Sequence, residues 1–169
     1  MLGCRYSSSP HMESYFNVGD LSAEQLLANW RWLCPAPVSI VARSAFGDLF
    51  LRTESGIVSK LDVSAGQLTK VAETVDQFLS MAALAEKRNE FFAEDDERAA
   101  AKRGFVPSAS ECIAFKIPVC FSESSTAPEN VYIANLYEYV SFLGDIHHQI
   151  ADVPDGNKIR LRVKDRNTT

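Results

Sequence analysis

The sequence predicts an α+β fold: one domain in which a largely antiparallel or mixed sheet carries helices mainly on one face. Three observations lead there. Four short β-type runs separated by turn signals lie together between residues 38 and 71. Helical periodicity comes before them, after them and again near the end of the chain. An apolar share of 46% in 169 residues is enough to bury one sizeable core. The expected organisation is an N-terminal arm at residues 1–19, disordered or foreign to the natural chain, a single domain at 20–164, and a tail at 165–169. The arm is set apart because Ser7-Ser8-Ser9-Pro10 is of a composition that rarely joins a core.

Ser22 with Gln25 has the form of a capping box, and Leu26, Leu27, Trp30 and Leu33 then make a short amphipathic helix, ended by Pro35 and Pro37. Residues 38–41, 48–52, 56–62 and 67–71 follow as strands. Glu54-Ser55-Gly56 and Ser64-Ala65-Gly66 are turn signals between them, which makes an antiparallel meander the natural arrangement. Thr74 with Gln77 repeats the capping box and opens a helical tract to about Lys102, expected as two helices and closed by Gly104-Phe105-Val106-Pro107. Residues 112–117 and 130–134 are two more strands, joined by the polar loop 122–129.

Leu136, Val140, Leu143, His147 and Ile150 recur at helical spacing, so residues 136–151 form a helix of about four turns that Pro154-Asp155-Gly156 stops. Gly144 lies inside it, where glycine costs about 1 kcal/mol relative to alanine; a close helix-to-sheet contact is the expected reason. Residues 158–163 alternate like a last strand with Arg160 and Arg162 outward, as suits a sheet edge. No internal repeat is evident.

A net charge of −5 argues against phosphate backbones as ligands and is compatible with a basic protein partner, although solubility alone explains it and is the simpler reason. Cys4, Cys34, Cys112 and Cys120 form no Cys-x-x-Cys pair, so no metal is expected. The opening residues lack an apolar signal core, and no run approaches the roughly 20 apolar residues of a membrane span. The expected location is the cytoplasm, with reduced thiols.

Catalytic patterns are weak. His147 and His148, near Asp145 and Glu138, are adjacent on a helix and point about 100° apart, so they do not share one ion. Ser110, Ser122, Ser124 and Ser125 lie outside any Gly-x-Ser-x-Gly elbow. Cys112 opens an apolar strand, which makes it a buried thiol rather than a nucleophile. With no phosphate-cradling glycine loop, no cofactor is expected. The strongest charge feature is Glu94-Asp95-Asp96-Glu97, preceded by Phe91 and Phe92. It reads either as a solvated helix start, where carboxylates favour the dipole, or as an acidic patch with aromatic anchors for a basic partner. These six residues are the candidate partner-binding site. Trp30 and Trp32 are further conceivable anchors, better placed in the core.

Several stretches, taken together, resemble one bacterial family. They are Phe46-Gly47-Asp48-Leu49-Phe50, Leu61-Asp62, Gly66-Gln67-Leu68, Cys112-Ile113-Ala114-Phe115-Lys116-Ile117-Pro118, Asn130-Val131, and Ser141-Phe142-Leu143-Gly144-Asp145-Ile146-His147 with the helix they belong to. The family is the C-terminal domain of immunity proteins against type VI secretion DNase effectors. The likeness runs from about Phe46 to Ile159 and is most specific in the last third. Ser122-Glu123-Ser124-Ser125-Thr126-Ala127-Pro128 departs from it, being serine-rich where a glycine-rich connection is expected. The resemblance implies a cytoplasmic protein that binds a secreted nuclease toxin stoichiometrically and stops it without catalysis. The alternative is a regulatory or scaffold interaction module recognising an endogenous protein. A more remote one is a small hydrolase using His147 or Cys112.

Overall fold

The computed structural model describes residues 10–154 and 156–160. At its centre is the meander. Strands β1 (Val38–Arg43), β2 (Leu49–Thr53), β3 (Val58–Asp62) and β4 (Gln67–Ala72) pair antiparallel in the order β1-β2-β3-β4. Leu49 lies opposite Leu61, and Leu61 opposite Leu68; Ala42 lies opposite Phe50, and Val58 opposite Ala72. Because side chains alternate across a strand, this register sends Leu49, Leu51 and Leu61 to one face and Ala42, Phe50, Val58 and Ala72 to the other.

Both faces are buried. The leucine face is closed by α2 (Ala23–Leu26), the 3-10 turn Ala28–Trp30 and the long C-terminal helix Leu136–Ile150, which supply Leu26, Leu27, Trp30, Leu136, Val140 and Leu143. The Phe50 face is closed by α1 (Pro10–Phe16), α3 (Val75–Ala82) and α4 (Ala85–Phe92). There Phe50 and Phe78 stack at 4.9 Å between ring centroids. The α+β class and the antiparallel sheet are therefore as the sequence predicts, but helices cover the sheet on two sides rather than mainly one. Each fully buried Leu or Phe contributes about 1.5–3 kcal/mol, so the second cluster is as necessary to the fold as the first.

Residues 10–19, expected to stand apart, enter the domain. Tyr15 is 2% exposed and stacks on Phe92 with centroids 4.2 Å apart and rings 2° from parallel. The tract beginning at Thr74 breaks into three helices rather than two, α3, α4 and α5 (Glu94–Ala101). Thr74 caps α3 through a bond from the Gln77 amide to its hydroxyl at 3.2 Å. Ala93, in the left-handed conformation at φ 54°, turns the chain between α4 and α5.

A second, two-stranded sheet, β5 (Glu111–Phe115) with β6 (Val131–Asn135), is tied to the meander. The Ile113 amide donates to the Ala45 carbonyl at 2.8 Å. The buried Arg43 guanidinium donates to the Glu111 and Ser108 carbonyls at 2.9 and 3.1 Å. The serine-rich loop before β6 is folded around Asn130, whose buried amide accepts from the Ile117 N–H at 2.8 Å and donates to the Ser125 carbonyl at 2.7 Å.

Helix α6 (Leu136–Ile150) is capped by Asn135 and packs as its stripe predicts. Gly144 does face a close neighbour, but the neighbour is the Ala28–Trp30 turn and not the sheet. A Cβ there would lie 2.8 Å from the Trp30 indole nitrogen and 2.9 Å from the Asn29 carbonyl oxygen. That approach lets the Trp30 indole N–H donate to the Val140 carbonyl at 2.8 Å. Of the expected terminal strand, residues 158–160 are irregular, and 161–163 lie outside the described residues, as do Cys4 and the tail 165–169. No helix among the described residues is long and apolar enough to cross a membrane.

Candidate functional site

A cleft of about 390 Å³ opens between α5 and the outer face of the β5–β6 sheet, above the end of β3. Its floor begins with the turn Ser44-Ala45-Phe46-Gly47. The Ser44 hydroxyl accepts from the Phe46 and Asp48 amides at 3.2 and 3.1 Å, and Gly47 takes φ 91°, a conformation that favours glycine. This turn aims the Asp48 carboxylate inward, where it accepts from the Val63 amide at 3.2 Å and meets the Lys60 ammonium at 3.1 Å. Lys60 reaches it because β2 and β3 place Phe50 opposite Lys60, two residues on from Asp48. Burial pushes the Asp48 carboxyl up, the Lys60 charge beside it pulls the other way, and Asp62 adds to the rise.

One wall is apolar. Residues 113 and 115 of β5 alternate toward the cleft, so Ile113 and Phe115 line it with Val131, Phe46 and Phe105. The opposite wall is the small-residue side of α5, Ala99 and Ala100, with Asp96 one turn earlier and Arg103 just beyond the helix. Asp62 stands at the rim. One of its carboxylate oxygens accepts from the Ala65 amide at 2.8 Å. Asp96 has no hydrogen-bond or ion-pair partner for its carboxylate among the described residues.

Of the six expected partner-binding residues, one faces this cleft. Phe91 and Phe92 are 3% and 0% exposed and pack on Phe50, so they are core and not anchors. They end α4 where both rings close on Phe50 and Phe78, a tertiary contact that their nearness to the acidic run does not reveal. Glu94 is buried and accepts from Arg88 Nε at 3.0 Å. Glu97 accepts the Tyr15 hydroxyl proton at 2.5 Å, and Asp95 pairs with Arg98 at 3.0 Å. The run does begin a helix, so dipole and partners together account for three of its four charges, and Asp96 has no partner among the described residues.

The two histidines diverge. His147 is buried against Trp30, its Nε2 3.1 Å from the Ser64 carbonyl oxygen, and burial holds its pKa below the ordinary histidine range. His148 is exposed and stacks on Trp32 with centroids 5.5 Å apart. Trp30 is fully buried, and Trp32 is half-buried. The Cys112 thiol is buried and pushed up to about 12 by desolvation, which keeps it protonated at neutral pH. Among the described residues no group of three or more His, Cys, Asp or Glu side chains is placed to hold a metal ion.

The cleft itself was beyond sequence reasoning because its lining runs from Phe46 to Val131. The opposite charges of Asp48, just before β2, and Lys60, on β3, are visible in the sequence, but only the strand register brings them together. No known family model and no curated protein matches this chain.

Proposed function

We propose that this chain is an immunity-type binding protein, which neutralises a nuclease toxin in the cytoplasm by stoichiometric contact and performs no chemistry of its own. The observation that supports the reading best is the cleft between α5 and the second sheet, concave, apolar along one wall, with Asp48, Asp62 and Asp96 outnumbering Lys60 and Arg103 around the rest of it. Such a shape suits an anchoring side chain of a protein partner, since affinity concentrates where a few groups enter desolvated pockets. The segments that carry the family resemblance also frame it: Phe46 and Asp48 from one, Asp62 from another, Ile113 and Phe115 from a third, Val131 from a fourth.

Inhibition then follows from occupancy. A toxin surface held against the cleft is unavailable to DNA, and the chain's net charge of −5 speeds encounter with a basic, DNA-binding partner. Purification of the tagged protein from its native bacterium tests this. The expected result is retention of a nuclease at one-to-one stoichiometry, whose DNA cleavage stops on equimolar addition of the pure protein. An endogenous protein retained at that stoichiometry would instead favour the regulatory module, and turnover by the protein alone would favour the hydrolase.

A further inference from the structure

We propose that the cleft receives a single lysine or arginine of its protein partner, with the aliphatic stem along the apolar wall and the cationic head at Asp96 and Asp62. The inference rests on the binding reading above and names the group that the site selects.

Charge decides between a cation and an anion. Five ionisable side chains line the cleft, and Asp48 and Lys60 neutralise one another at 3.1 Å. Asp62 and Asp96 remain against Arg103, so the unpaired balance is one negative charge. Asp62 has given only one oxygen to the Ala65 amide, and Asp96 has given neither to a partner among the described residues. Lysine and arginine bury their methylene stems on apolar surface while keeping the head at a polar rim. Phe46, Phe105 and Phe115 provide such a surface, and their ring faces also attract a cation. A wholly apolar anchor would cover the exposed Asp96 carboxylate without compensating it, and an anionic one would meet two carboxylates against the single Arg103 guanidinium.

The test uses the isolated full chain and three small probes followed by NMR titration: N-acetyl-lysine methylamide, N-acetyl-arginine methylamide and uncharged N-acetyl-norleucine methylamide. The expected result is saturable shifts at Ala99, Ala100 and Val131 with at least one cationic probe, and binding about tenfold weaker for norleucine and for the cationic probe on Asp96→Asn. Ala99→Trp, at an exposed helix position, should abolish the shifts without unfolding the protein. Equal binding of norleucine, no effect of Asp96→Asn, or no saturable shift at the cleft would overturn the proposal. No toxin is in the sample, so failure here leaves co-purification of a nuclease standing, and failure there leaves this selectivity measurable.

Discussion

Lys60 and Asp48 are the residues on which the floor of the cleft depends. Their side chains are 19% and 12% exposed, so removing the lysine leaves a carboxylate with little access to water. Lys60→Met is expected to cost about 3–5 kcal/mol at neutral pH, measured by urea denaturation. The sign of its pH dependence follows from the raised Asp48 pKa. The folded protein then takes up a proton before the unfolded chain does, so the deficit should shrink as pH falls from about 7 to about 4. A deficit independent of pH would mean that the carboxylate is not what Lys60 compensates. His147 acts in the opposite sense. Its folded pKa is lowered by burial, so its contribution is complete above the ordinary histidine range and is lost as pH drops below about 6.5. In His147→Leu, stability measured between about pH 7 and pH 5 should fall less steeply than in the parent. Among single residues, the buried His147 and Cys112 were legible because each sits on an apolar stripe. The Asp48–Lys60 contact was not, since register decides which residues of neighbouring strands meet.

At the level of elements, the meander was readable because alternation and glycine turns agree, and its four strands fall where those signals put them. The helical tract was less so. The break between α4 and α5 falls at Ala93, a residue that carries no turn signal, and tertiary contacts hold it left-handed at φ 54°. The Asn89 side chain accepts from the Asp95 amide at 2.9 Å, and Arg88 on α4 grips Glu94 on α5 at 3.0 Å. A left-handed alanine costs about 1–2 kcal/mol, of which glycine recovers part after its own entropic penalty. Ala93→Gly is therefore expected to raise stability by about 0.5–1 kcal/mol, read as a higher melting temperature. A lower melting temperature would show that this joint is not strained. The terminal helix came through intact, Leu136–Ile150 against an expected 136–151. The partner of its glycine did not, because spacing along one helix does not disclose which element lies across from it.

For the whole molecule, the binding reading makes charge a matter of rate as well as affinity. Reversing all of Glu94, Asp95, Asp96 and Glu97 would break the Arg88–Glu94 pair and confound folding with binding. Asp96→Lys alone is the cleaner change. It is expected to slow association with the nuclease several-fold and to flatten the dependence of that rate on salt, seen by stopped-flow at two ionic strengths. Unchanged kinetics would remove the cleft rim from the encounter. The composition foretold one domain and a sizeable core, but not that the sheet would be covered on both sides. That depends on Tyr15 returning to Phe92 and on Trp30 returning to Val140. Those two returns also set a schedule for biosynthesis. The early segments wait at the ribosome for partners made far later, and the leucine face stays open until Leu136–Ile150 has emerged. Under the proposed binding role, an unfinished chain would offer its partner no formed cleft, so only molecules completed beforehand would count.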